Sequence, residues 1–235
     1  GCKVNQYESD AMMQSLVQNG CIRSENDTDA DIYIINTCSV TNIADRKSRQ
    51  MIHRMKKINP NATVIATGCY VQATEEELVE NGTVDLIIGN NRKNEAARII
   101  SEYLANGQTQ DNYIDINKDP DYENMNIIMP EGHTRAYIKI QDGCNNFCTY
   151  CIIPYVRGRI RSRKLSDIIA EATALADNGI KEIVLTGINV SSYKDNKFTL
   201  TDVIEEISKI NGIKRIRMSS ACHNYRYYSW ISRRN

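Results

Sequence analysis

The chain has 235 residues, enough for one large or two ordinary domains, each with its own core. Its 29 basic and 29 acidic side chains balance, so net charge points to no partner, and any nucleic-acid surface must come from local clustering. Eight irregularly spaced cysteines without a secretory leader exclude a disulfide framework, and no apolar run approaches the ~18 residues that span a bilayer, so the expectation is a soluble, cytoplasmic thiol protein with no membrane partner.

Three short apolar runs rich in branched residues come first, over 31–36, 63–67 and 84–88. Helical patterns separate them, which predicts βα units and a buried parallel sheet. Between the first two, Ala44, Ser48, Met51, Met55 and Ile58 recur at helical spacing and should face the sheet, until Asn59-Pro60-Asn61 ends the helix. Thr74 and Glu77 suit a capping box for a helix closing near Asn81-Gly82, and 92–104 predicts another helix. From Ala105 to Gly132 the pattern decays into the composition of a linker. Beyond it, strands are predicted at 135–141, 182–186 (stopping at Gly187) and 213–218, with helices at 166–177 and 200–210. This is the grammar of a βα barrel, with chemistry at the C-terminal ends of the strands, but three strands are too few to close one.

A loop follows the first strand of that second series: Gly143-Cys144-Asn145-Asn146-Phe147-Cys148-Thr149-Tyr150-Cys151. Three thiolates so close cannot all pair as disulfides. Zinc would want a fourth Cys or His, and the nearest histidine, His133, precedes the strand. Three thiolates can instead hold a corner of an iron–sulfur cubane and leave one iron open for chemistry. Cys2 precedes a helix, whereas Cys38 and Cys69 each follow a predicted strand. Strand ends of a parallel sheet share the edge where such folds bind ligands, so these three distant cysteines can converge into a second three-thiolate cup.

The Cys-x3-Cys-x2-Cys spacing with an aromatic before the last cysteine resembles the radical S-adenosylmethionine (SAM) signature. Preceded by a domain carrying Cys2, Cys38 and Cys69, it resembles the methylthiotransferase family. The blocks 1–9 and 36–50 are similar to the branch acting on tRNA, and within it to the enzymes of N6-threonylcarbamoyladenosine beside the anticodon. The resemblance covers about residues 1–220. It implies an α/β fold, with an N-terminal parallel-sheet methylthiotransferase domain at 1–104, a linker at 105–132, an incomplete radical SAM (βα) barrel at 133–220 and an aberrant tail at 221–235.

The same resemblance implies two [4Fe–4S] clusters and SAM as cofactors. Cys144, Cys148 and Cys151 would hold the cluster that cleaves SAM to a radical, and Cys2, Cys38 and Cys69 an auxiliary cluster used in sulfur insertion. Tyr150 would lie near the SAM adenine. The implied reaction is methylthiolation of adenine C2, with tRNA as substrate and an electron donor such as flavodoxin or ferredoxin. Sister enzymes acting on isopentenyladenosine tRNA or on a ribosomal-protein aspartate are the alternative, and a non-catalytic iron–sulfur or RNA-binding fragment is an alternative of another class. Gly187, at a strand end, is where backbone could approach SAM or simply turn.

Arg157, Arg159, Arg161 and Arg163 alternate after the cysteine loop, an arrangement that could follow a phosphate backbone. Arg46, Arg49, His53 and Lys57 share one helix face, an ordinary solvated pattern. Cys21 reads as a small buried hydrophobe, and Cys222 and His223 as chance occurrences in the tail. A missing preceding strand, the tail and the unclosed barrel together suggest a fragment, inactive alone.

Overall fold

The structure, a computed structural model, describes residues 2–26, 28, 30–39, 41–74, 78, 82–108, 116, 121–127, 135–219 and 231–232. The expected partners Glu77 and Asn81, His133, Cys222 and His223 lie outside them, as does the tail apart from a two-residue strand. The chain divides into two compact units. One comprises Gly1–Asp119 with Asn146–Gly158, the other Pro120–Asn145 with Arg159–Asn235. The division falls inside the expected linker, but the segment carrying Cys148 and Cys151 belongs with the first unit, not with its sequence neighbours.

In the first unit, helix α1 (Lys3–Gln18) buries Val4, Tyr7, Ala11, Met12 and Leu16, one stripe at helical spacing. Strands β1 (Ile32–Thr37), β2 (Thr63–Gly68) and β3 (Leu86–Ile88) form a parallel sheet in that order. Their branched residues form a core with α2 (Asn42–Ile58), as the sequence leads one to expect. The face of α2 differs by one position: Ser48, Ile52 and Met55 are buried, while Met51 is exposed. The short helix α3 (Cys69–Ala73) follows β2 without a linker. A 3-10 turn at Lys93–Glu95 leads into α4 (Ala96–Asn106), and α5 (Ile153–Val156) opens with proline in its first turn.

In the second unit, β4 (Arg135–Asp142), β6 (Glu182–Gly187) and β9 (Arg215–Met218) are parallel, with β6 central. Two-residue antiparallel strands flank them: β5 (Arg161–Ser162) on β4 and β10 (Ile231–Ser232) on β9. A small hairpin, β7 (Lys194–Asp195) and β8 (Phe198–Thr199), precedes the last helix. Ala136, Ile138 and Ile140 on alternate positions of β4 pack with Ile183 and Leu185 of β6 against α6 (Leu165–Asp177) and α7 (Leu200–Lys209). The intervening positions carry buried polar groups: Lys139 pairs with Asp142 at 2.6 Å, and Ser219 donates to Thr186 at 3.1 Å. The described part of the expected linker is not slack. Met125 and Ile127 are buried, and the Ile127 amide donates to Glu171 at 2.9 Å.

Candidate functional site

β1 and β2 are in register through Thr37 and Gly68, so Cys38 and Cys69 follow side by side at one edge of the sheet. Gly68 makes this possible. Its φ of +97° disfavours a side chain, and a Cβ there would sit 2.3 Å from the Thr37 carbonyl oxygen. The Thr37 hydroxyl donates to the Thr67 carbonyl at 2.6 Å and accepts from the Val71 amide at 3.3 Å, bracing the turn that opens on Cys69. The Cys38 amide donates to Ser48 Oγ at 3.3 Å, which ties it to α2.

Cys2 joins the same edge from another direction. It is the N-cap of α1, and its Sγ accepts from the Asn5 amide at 3.4 Å. The Asn5 side chain then donates to the carbonyls of Asn36 and Thr37, each at 3.2 Å. Asn36 answers by donating to Asn5 O and Ser9 Oγ, each at 3.0 Å. These amide clasps bolt the start of α1 to the end of β1. The residues around Cys2 and Cys38 therefore serve the placement of the cysteines.

Beneath this edge lies a knot of charge that sequence reasoning missed. Glu8, Lys93 and Arg157 are 0%, 0% and 1% exposed. Arg157 grips Glu8 in bidentate fashion at 2.8 and 3.1 Å, and Lys93 Nζ reaches Glu8 at 2.6 Å and Asn90 Oδ1 at 2.7 Å. Arg157 Nε also donates to Cys69 Sγ at 3.2 Å. Burial pushes the Cys69 thiol above its ordinary range, and the charges of Arg157 and Lys93 offset only part of that rise. Two cations meet one carboxylate, so a thiolate at Cys69 would bring these four side chains to charge balance. One signal was available: Glu8 lies on the apolar stripe of α1, four residues from both Val4 and Met12. Lys93 and Asn90 gave none.

The arginine run is corrected by the same geometry. Arg157, Arg161 and Arg163 are buried, and Arg159 alone of the four is exposed. Arg163 pairs with Glu171 and donates to Asn124 at 2.9 Å. Buried guanidinium groups so engaged cannot track a phosphate backbone. Cys21 is also corrected: it is exposed after the turn at Gly20. Arg46, Arg49, His53 and Lys57 are exposed on α2, as expected.

Of the cysteine loop, Cys144 falls in the second unit and Cys148 and Cys151 in the first. All three are half-buried free thiols, and the Cys151 amide donates to the Cys148 carbonyl at 2.9 Å. Phe147 holds a left-handed φ of +45° and meets Tyr155 edge-on, with ring centroids 5.7 Å apart. Tyr150 is 73% exposed. In the second unit, Gln141 Nε2 donates to the carbonyls of Asp142 and Gly143, each at 2.7 Å, and its Oε1 accepts from the Asn189 amide at 2.7 Å. Gly187 lies against Gln141, and a Cβ there would come within 2.9 Å of the Gln141 carbonyl oxygen. Strand packing therefore accounts for the glycine by itself.

Residues 1–89 match the "Uncharacterized protein family UPF0004", and residues 138–226 match the "Radical SAM superfamily". The chain is 40% identical, over 94% of its length, to "Threonylcarbamoyladenosine tRNA methylthiotransferase MtaB" of Aquifex aeolicus, and equally to that of Bacillus subtilis. These matches cover 54% and 49% of the relatives, so the chain spans about half the length of each. The chain is thus similar, over nearly all of its length, to radical SAM methylthiotransferases. A sister of Thermodesulfovibrio yellowstonii, "tRNA-2-methylthio-N(6)-dimethylallyladenosine synthase", is 36% identical over 92% of the chain and 50% of that protein. Among solved structures, the radical SAM methyltransferase TsrM from Kitasatospora setae superposes with a TM-score of 0.56 at 13% identity, over 85% of this chain and 47% of its own. This last likeness concerns the fold alone.

The radical SAM match over 138–226 supports an iron–sulfur cluster and SAM. The thiols fit such a group. No cysteine proposed as a ligand is in a disulfide, and Cys2, Cys38 and Cys69 are fixed to one sheet edge, where Arg157 donates to Cys69 Sγ. Among the described residues, no three His, Cys, Asp or Glu side chains are close enough to hold a single ion. No described helix is long and apolar enough to cross a membrane.

Proposed function

We propose that the protein to which this chain belongs methylthiolates C2 of N6-threonylcarbamoyladenosine next to the anticodon of tRNA. The observation that carries this reading is the sheet edge at Cys38 and Cys69, with Cys2 clasped beside it through Asn5. A second three-thiolate cup is what a sulfur-inserting enzyme needs beyond the radical loop. Cys144, Cys148 and Cys151 hold the radical-generating [4Fe–4S] cluster, and Cys2, Cys38 and Cys69 hold the auxiliary one. With SAM, these clusters supply the one-electron chemistry, sulfur and methyl group that side chains lack.

The side chains do the rest. The Gln141 amide holds the turn that presents Cys144, and the close approach of Gly187 keeps that strand end free of side-chain bulk. Tyr150, exposed beside Cys151, stands ready to pack on the SAM adenine. Substrate choice within the family follows the likeness in names: the two relatives at 40% identity act, by name, on threonylcarbamoyladenosine. The electron donor is a flavodoxin- or ferredoxin-type protein.

Expressing the complete reading frame that encodes this chain in a strain lacking the activity tests the reading by nucleoside mass spectrometry. The expected product is the 2-methylthio form of N6-threonylcarbamoyladenosine. Methylthiolated isopentenyladenosine would transfer the protein to the sister branch, and unmodified tRNA of both kinds would defeat the proposal.

A further inference from the structure

We infer that Arg157 is a positioning residue of the auxiliary cluster, donating a hydrogen bond from Nε to the cluster-bound sulfur of Cys69 and holding the segment of Cys148 and Cys151 against the auxiliary cup. The inference rests on the assignment of Cys69 as a cluster ligand. Its own basis is a set of distances within the first unit. Arg157 Nε lies 3.2 Å from Cys69 Sγ, while both terminal nitrogens are committed to Glu8 at 2.8 and 3.1 Å. The guanidinium fork therefore has one fixed orientation, with its remaining edge aimed at sulfur. Lys93, itself held by Asn90 Oδ1, locks Glu8 from the other side, and Asn90 also donates to the carbonyl of Val156, the residue before Arg157, at 2.5 Å. The arginine is held from its backbone neighbour and from its head group alike.

Two consequences follow. Hydrogen bonds to a cluster's sulfurs stabilise its more negative, reduced state, and nearby fixed positive charge does the same. Arg157 and Lys93 together raise the reduction potential of the auxiliary cluster. Arg157 also stands six positions after Cys151, within one compact unit with Cys69, so the contact that tunes one cluster anchors the ligand segment of the other. The buried position of the arginine follows from this work: a residue selected for phosphate contact would stay in water.

The test uses this chain with Cys144, Cys148 and Cys151 changed to Ala, so that only the auxiliary cluster remains. In that background Arg157→Lys keeps the charge but cannot grip Glu8 with a fork and still present a donor to Cys69. The expected result is retained iron with a lower midpoint potential in a redox titration followed by electron paramagnetic resonance. An unchanged potential overturns the inference. A second measurement needs no change at Arg157. The reduced cluster in protein labelled with 15N-arginine should show hyperfine coupling to a guanidinium nitrogen, and its absence overturns the inference whatever the variant does. If the triple-alanine protein binds no iron, the ligand assignment fails and takes this inference with it. Iron present without coupling sinks this inference alone.

Discussion

Arg157 and Arg163 stand six positions apart and look equivalent in the sequence, yet they are buried for different reasons. Arg163 meets one carboxylate, Glu171, and fills its other donors with Asn124 and Asn126. Its backbone is held as well, with the Tyr193 hydroxyl donating to its carbonyl at 2.8 Å. The result is a balanced pair that straps 121–127 onto the second unit. Arg157 shares its carboxylate with Lys93 and turns its third edge to a thiol. A balanced ion pair is complete as a structural device. A knot with two cations to one carboxylate asks for another anion, and the thiol beside it is the group able to become one.

The largest effects should come from removing the carboxylates. Glu171→Ala strands a buried guanidinium and should cost about 3–5 kcal/mol in urea unfolding. Glu8→Ala strands two cations and should cost at least that much in the iron-free chain. Loading iron should recover part of the loss for Glu8→Ala and none for Glu171→Ala. Equal behaviour of the two variants on loading would erase the distinction drawn here.

Gly68→Ala should come next. Holding alanine in this glycine-only backbone region costs about 1–3 kcal/mol, to which the contact with the Thr37 carbonyl oxygen is added. Because the turn aims Cys69, the expected readout is loss of auxiliary-cluster iron with the radical-loop iron retained. Smallest are two hydroxyl deletions, each about 1 kcal/mol by denaturant midpoint. Ser48→Ala releases the Cys38 amide and should also lower iron retention, whereas Tyr193→Phe in the second unit should cost stability alone.

The parallel strands were legible because runs such as Ile32–Thr37 combine branched residues with flanking helical patterns. The helix face of α2 was legible only to within a position, since Met51 and Ile52 are both apolar and adjacent, and either satisfies the period. The cysteine motifs were legible from spacing and strand ends. The charge knot was not: Glu8 and Arg157 are 149 residues apart in the chain, and nothing local distinguishes a buried arginine from a solvated one. Alternating arginines read as one exposed face of an extended segment. In the structure the first follows α5 and the later ones begin or follow the two-residue strand β5, where each meets its own remote partner. The strap at 121–127 escaped notice because its apolar anchors, Met125 and Ile127, sit in a short stretch among Asn, Asp and Pro that shows no helix or strand period.

The central claim is that two separate cysteine triads each hold a cluster, and anaerobic reconstitution followed by iron and sulfide counting tests it most directly. Two clusters of about four irons each give about eight iron and eight sulfide atoms per chain. Changing Cys144, Cys148 and Cys151 to Ala should halve both counts, as should changing Cys2, Cys38 and Cys69, and the two losses should be independent. One zinc per chain after anaerobic purification, or a full iron complement that survives loss of Cys2, Cys38 and Cys69, would contradict the account.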